Sequence, residues 1–487
     1  MAGLSAAAAG LAGCQTVAGT GAAAAATTST GTSAGPPSTA MAHKPIDYHA
    51  LAKRLSGKLI LPGDPGYPRA SQSYNPNFDG RKPAAIAQVA NPADVQRCVE
   101  AAAESGTPIA ARSGGHSYAG YSTPNGALVV DLANLHGVAL DRAGNATIGA
   151  GTKLAEVYDG VAGAGRALPG GSCPTVGIAG LTLGGGVGVL TRAYGLTCDR
   201  LVSAQLVTAD GRLRTVSANA EPDLFWALRG GGGGNLGIVT SLAFRTEAAP
   251  PQLAAFTVRF GGGTAADVFG AWQQWLPNSP AALWTKCTLV SGSSPSARLT
   301  GCYIGSTSAL TPLLNDLIKR TSATPTGKTI SGLDYASAMR YFAGSSARES
   351  FAASSSMLRR PADAGKIASI ATGETGSEIM FDALGGAVAA LKPTDTAFAH
   401  RSSLATTQIY RGSTPSTAPA ATKTVDAMRD ALTGVLGVGG YVNYIDPTMP
   451  NWGSAYYGDN LSKLHGVARR YDPHGVFTFA QSIEKAR

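Results

Sequence analysis

Charged side chains are scarce in this chain. Of its 487 residues only 14% are Asp, Glu, Lys or Arg and 44% are hydrophobic, where an ordinary globular domain carries roughly 25% charge. A coiled coil and a highly charged disordered chain are both excluded. Basic residues outnumber acidic ones, 39 to 30, for a net charge of +9. The excess does not cluster. Its densest groups are pairs such as Arg359-Arg360 and Arg469-Arg470, so no nucleic-acid partner is expected. Histidine (7) and cysteine (6) are few, and without a Cys-x-x-Cys, His-x3-His or Glu-x2-His spacing no metal site is expected. Two nucleotide motifs are present only in outline. Gly232-Gly233-Gly234-Asn235-Leu236-Gly237 has the letters of a dinucleotide fingerprint, but a helical stretch precedes it and no acidic residue follows at about 20 positions. Gly327-Lys328-Thr329 has Ser322 where a P-loop needs its first glycine. A nicotinamide-dependent dehydrogenase is therefore disfavoured.

No charged side chain precedes Lys44. Residues 1–42 are a tract of Ala, Gly, Ser and Thr that cannot build a core. Its start is a short apolar stretch ending in Leu11-Ala12-Gly13-Cys14, which resembles a bacterial lipobox and is too short for a membrane span of about 20 residues. Export, with a lipid tether through Cys14, is the expectation, and a low-complexity leader with a chance cysteine is the alternative. No Lys or Arg precedes Cys14, which leaves room for a start upstream of Met1. Beyond Cys14 stand Cys98, Cys173, Cys198, Cys287 and Cys302, an odd number, so one is expected to be unpaired or chemically employed. Cys287 and Cys302 lie in two β-like runs, so a cross-strand disulfide between them is geometrically allowed.

Glycine is abundant: 63 residues, about twice the usual roughly 7%. Residues 77–249 alternate short strands and helices with glycine clusters, for example a helix over 92–105 with Asn91 as its N-cap. From 250 to 440 alternating stretches such as 254–260 and helical ones such as 420–434 predict a second domain, an antiparallel sheet with helices on one side. The last stretch recovers the glycine and aromatic density of the first. The expected organisation is a leader at 1–42, a first domain at 43–249, a second at 250–440 and a returning segment at 441–487, of α+β class.

Three glycine clusters suggest backbone lying against a flat, anionic cofactor: Arg112-Ser113-Gly114-Gly115-His116-Ser117-Tyr118, Gly170-Gly171-Ser172-Cys173-Pro174-Thr175-Val176-Gly177 and Gly184-Gly185-Gly186-Val187-Gly188. With Tyr194-Gly195-Leu196, Asp223-Leu224-Phe225-Trp226-Ala227-Leu228-Arg229-Gly230, Gly237-Ile238-Val239-Thr240, Tyr441-Val442-Asn443-Tyr444 and Tyr471-Asp472-Pro473 in this order, the chain resembles the berberine-bridge-enzyme-like branch of the vanillyl-alcohol-oxidase flavoproteins, which have a PCMH-type FAD-binding domain. The likeness runs over 77–246 and 441–483.

The resemblance implies FAD attached twice, through the His116 imidazole to the 8α-methyl and through the Cys173 sulfur to C6. It places Arg112, Ser113, Gly114, Gly115, Ser117, Val176, Gly177, Gly180, Gly184, Gly185, Gly237, Ile238, Val239 and Asn443 at the cofactor. Tyr444 maps onto the family's base, with Tyr441 the weaker candidate, and would need a pKa well below its usual value of about 10 to act as a tyrosinate. Tyr118 is expected to bind substrate or to lower the base's pKa. Asp382 is either the carboxylate paired with the base or a solvated helix-end residue. Gln408 stands where the berberine bridge enzyme has glutamate, which argues for simple alcohol oxidation. Val187 stands where many plant relatives have tyrosine. Val176 aligns with an oxygen-gating position where valine accompanies oxidases. The expected activity is oxidation of an alcohol carbon of a carbohydrate, with O2 reoxidising the flavin to give H2O2 in a monomeric enzyme. A tailoring step of secondary metabolism and a flavin-binding lipoprotein without turnover are the alternatives.

Overall fold

The computed structural model describes residues 44–486. The leader and the Cys14 expectation lie outside them. Among the described residues no helix is long and apolar enough to cross a membrane.

A four-stranded sheet runs in the order Lys58–Ile60, Ala85–Gln88, Leu128–Asp131, Ile109–Arg112, its last three strands parallel. Parallel neighbours require a crossover, and the helix Pro92–Ser105 provides one. Asn91 caps it by accepting the Asp94 amide at 3.0 Å, Pro92 occupies the first turn, and Gly106 ends it at φ 66°. Its apolar stripe, Val95, Cys98, Val99 and Ala102, is buried. A five-stranded antiparallel sheet follows, in the order Val138–Leu140, Asn145–Gly149, Ile238–Arg245, Leu201–Val207, Leu213–Ser217.

From Leu253 onward the strands form a seven-stranded antiparallel sheet. Its order is Pro325–Leu333, Leu253–Phe260, Ser296–Ile304, Leu283–Val290, Ser377–Ala383, Ala405–Gly412, Phe351–Leu358. Alternation along each strand gives this sheet two unlike faces. On one, Phe381 meets Phe269 and Trp272 of the helix Ala265–Trp275, ring centroids 4.4 and 6.3 Å away. That helix packs with Ala364–Ile370, which packs with Ala418–Leu436, so three helices cover this face. The other face carries Lys286 opposite Asp382, Asp382 opposite Thr406, and Met380 opposite Gln408.

The register also decides the cysteines. Cys287 pairs with Leu299 and Cys302 with Trp284, which sends the two sulfurs to opposite faces. The expected disulfide is absent: both thiols are free and buried.

Among the described residues the segment from Tyr441 onward adds no strand. It packs against both parts of the molecule: Ser355 donates to the Tyr441 carbonyl at 3.4 Å and accepts its amide at 3.0 Å, while Asn235 of the first part accepts the Ile483 amide at 3.0 Å.

Candidate active site

The strand Ile109–Arg112 delivers the chain into the first glycine cluster. Here two segments cross at contact distance. A Cβ on Gly114 would stand 2.3 Å from the Gly177 nitrogen, and one on Gly177 would stand 2.0 Å from Ser113 Oγ. Any other residue at either position would push the segments apart. Their approach sets His116 and Cys173 on either side of Thr175: His116 Nε2 lies 2.9 Å from Thr175 Oγ1, and Cys173 Sγ lies 3.6 Å from the same oxygen. Tyr74 stacks on the imidazole, centroids 3.7 Å apart at 19°. Burial, assisted by the Lys153 charge, brings the His116 pKa down to about 4, so the ring is neutral at pH 7.

The backbone around this pair fits a flavin dinucleotide. The amides of residues 114–118 have no acceptor among the described residues, which leaves backbone donors for an anion such as a pyrophosphate. Gly180, in the first turn of the helix Ile178–Gly184, has nothing within 4 Å of where a Cβ would stand, which leaves room for a flat ring.

A second cluster lies on the open face of the seven-stranded sheet. Tyr444 directs its hydroxyl at Asp382 Oδ2 from 3.5 Å, the long limit of a hydrogen bond. Its ring is parallel to that of Tyr118, centroids 5.6 Å apart at 9°. Gln408 donates to the Tyr118 hydroxyl oxygen at 2.8 Å. Asp382 is a buried strand residue, next to last in Ser377–Ala383, which removes the solvated helix-end reading. Tyr441 packs edge-on to Tyr444 at 5.0 Å, but its hydroxyl already accepts the Gly186 amide at 2.8 Å and Asn443 Nδ2 at 2.9 Å. It holds the third glycine cluster in place. Val187, like Tyr444, packs against the small buried cluster that contains Tyr441 and Phe398.

The electrostatics differ from the sequence expectation. Burial first, then the Asp382 charge, hold the Tyr444 pKa well above its usual value. Burial also raises Asp382, with Lys286 across the strand pulling the other way. A standing tyrosinate is therefore disfavoured, and Tyr444 faces Asp382 as a neutral phenol.

Several of the residues expected at the cofactor also make bonds within the protein. Arg112 is turned into the protein, where it pairs with Asp131 at 2.7 Å and donates to the Ala70 carbonyl at 2.5 Å. Ser113 donates to the Ala150 carbonyl at 2.6 Å, and Ser117 accepts the Tyr121 amide at 3.1 Å. Asn443 donates to the Leu181 carbonyl at 2.9 Å and closes over Gly184, where a Cβ would be 2.1 Å from its Oδ1. Gly185, at φ 132°, passes close to the Tyr441 ring. Gly115, at φ 70°, accepts the Tyr74 amide at 3.0 Å. Val176 donates to Cys173 at 3.3 Å and accepts from Leu154 at 2.9 Å through its backbone. Gly237, Ile238 and Val239 open the central strand of the five-stranded sheet and are buried there. Gly237 has φ 147°, and a Cβ on it would meet the Val207 carbonyl at 2.6 Å, so packing accounts for the glycine. Tyr74 and Lys286 join the site without a motif to announce them. Alternation of Trp284, Lys286 and Thr288 along one strand was the available signal for Lys286.

Comparison with known proteins agrees with this geometry. Residues 83–217 match the family model described as FAD binding domain, and residues 440–484 match the one described as berberine and berberine like. The chain is 33% identical over 448 residues to an uncharacterized FAD-linked oxidoreductase of Bacillus subtilis (strain 168), covering 89% of this chain and 98% of that one. It is 32% identical over 440 residues to a chitooligosaccharide oxidase of Gibberella zeae, covering 83% and 87%. A solved structure of glucooligosaccharide oxidase from Acremonium strictum, described with a 6-S-cysteinyl, 8α-N1-histidyl FAD, superposes with a TM-score of 0.82 at 28% identity, covering 90% of this chain and 98% of that one. With unpartnered backbone amides in the first glycine cluster, a histidine and a cysteine on either side of one threonine, and a tyrosine–carboxylate contact in one α+β frame, the chain belongs to the berberine-bridge-enzyme-like FAD-linked oxidoreductases.

Proposed function

We propose that this protein is a carbohydrate oxidase that removes a hydride from an alcohol carbon of a saccharide, using FAD held covalently by His116 and Cys173 and reoxidised by O2 to give H2O2. The observation that carries the reading is the contact of Tyr444 with Asp382 on the sheet face that also presents Gln408 to Tyr118. Chitooligosaccharide and glucooligosaccharide oxidases among the similar proteins support the substrate class. The doubly attached flavin described for the latter supports the linkage.

In this reading the flavin supplies a two-electron acceptor for the hydride. Tyr444 accepts the proton of the substrate hydroxyl as the C–H bond breaks, and passes its own proton to Asp382. The raised pKa of the phenol suits such a relay, because neither a free tyrosinate nor a free alkoxide has to form. Gln408 occupies the Tyr118 oxygen as a donor, which leaves the Tyr118 proton free for a substrate oxygen. Neutral Gln408 offers no second base. Val176 beside Cys173 supports O2 as the electron acceptor.

Tyr444→Phe should slow flavin reduction by a chito- or cello-oligosaccharide, followed anaerobically by stopped flow, by about 10³-fold, with the flavin still bound. Reduction at the wild-type rate in that variant would refute the assignment of the base. Absence of peroxide release from any saccharide would refute the substrate class.

A further inference from the structure

One hydroxyl lies against both attachment residues. Thr175 Oγ1 is 2.9 Å from His116 Nε2 and 3.6 Å from Cys173 Sγ, within contact range for nitrogen and for sulfur respectively. The imidazole is stacked on Tyr74 at 3.7 Å, so the ring has little freedom to turn, and Nδ1 makes no hydrogen bond among the described residues. We propose that Thr175 is the positioning residue for double flavin attachment, its single hydroxyl putting the His116 nitrogen and the Cys173 sulfur into their nucleophilic forms together. The inference rests on the bicovalent reading above and goes beyond it by assigning what prepares the two nucleophiles.

The chemistry follows from the inventory of donors. With the ring neutral, one nitrogen carries a proton and the other a lone pair. Nε2–H donating to Thr175 Oγ1 fixes the tautomer in which Nδ1 holds the lone pair. The Thr175 proton, released from that role, points to Cys173 Sγ and stabilises a thiolate, the reactive form of a cysteine. Nδ1 then bonds to the 8α carbon of the flavin. A C–H bond of that carbon breaks and its electron pair passes into the ring system; its proton and the Nε2 proton are released, and O2 takes the electron pair with two protons as H2O2. Sγ bonds to C6 by the same balance: the C6 proton is lost and a second O2 removes the electron pair. Burial keeps His116 from protonating at neutral pH, so nothing competes with the Thr175 hydroxyl for the choice of tautomer.

Thr175→Val keeps the shape and removes the hydroxyl, while Thr175→Ser keeps the hydroxyl. Each variant and the wild type are purified with FAD, acid-denatured, and assayed for retained flavin, and proteolytic peptides carrying His116 and Cys173 are weighed separately for the adduct. Wild type and Thr175→Ser should retain flavin at both residues. Thr175→Val should bind FAD but release it on denaturation, with attachment at least about 10-fold slower at both residues in a time course after FAD addition. Should the valine variant not fold, Thr175→Ala, which needs no added space, is read in the same way. Full retention in the hydroxyl-free variant, or loss at one residue only, would overturn the role of Thr175 while leaving double attachment intact. Release of all flavin from the wild type would instead overturn the bicovalent reading itself.

Discussion

Tyr444 and Asp382 can share a proton path because neither ionises easily where it stands. Burial raises both; the Asp382 charge makes the Tyr444 proton harder to lose, while the bond from the Tyr444 hydroxyl favours the ionised carboxylate. Lys286, directly across the strand from Asp382, is the opposing charge. Among the described residues its ammonium group makes no salt bridge, and its charge works to lower the Asp382 pKa. If turnover needs Asp382 ionised, activity is present above its raised pKa and is lost as pH falls through it. Lys286→Met removes the charge that favours the carboxylate, so the acid limb of the flavin-reduction profile should move to higher pH by about 1 unit. A profile that stays in place would show that Asp382 is not the group titrating. Legibility was uneven at this scale. His116, Cys173, Tyr118 and Tyr444 stood in recognisable strings, because glycine clusters and close aromatic spacing survive as sequence. Lys286 and Tyr74 did not, since each acts only through a neighbour distant in the chain.

The strand Ser377–Ala383 shows how one element serves two layers. Phe381 points into the helices and Asp382 toward Tyr444, as the two-residue period of a strand requires. Phe381→Ala should therefore lower stability by about 3–5 kcal/mol through loss of buried contact, measured by denaturant unfolding. The flavin-reduction rate of the folded fraction should change far less than in the Tyr444 variant. A one-residue slip of this strand would exchange the two faces and abolish both functions. The same alternation explains the failed disulfide: the two cysteine strands were legible as neighbours, but their register placed Cys287 and Cys302 on opposite sides. Helix Pro92–Ser105, in contrast, was readable end to end, because its cap, first-turn proline and closing glycine are local signals.

Across the whole molecule, a buried ion pair ties the segment after the third glycine cluster to the loop between the strands Ser377–Ala383 and Ala405–Gly412. Arg401 grips Asp199 with two bonds of 2.7 Å, and both side chains are almost fully buried. Removing one partner leaves the other charge buried and alone, so Arg401→Met should cost about 3–5 kcal/mol, visible as a fall in the unfolding midpoint. No loss would mean that water enters and solvates Asp199. The sequence by itself determined the α+β class, the order of the flavin motifs, and the helices and strands whose caps and periodicity are local. It did so because glycine, proline and capping residues act on the backbone within a few positions. Only the tertiary structure decided that Asp382 is a buried partner of Tyr444, that Tyr441 is committed to Gly186, that Arg112 turns inward, and that Thr175 stands between His116 and Cys173. Those outcomes depend on strand register and on which distant segments exclude water from one another, and neither is encoded within a local stretch of chain.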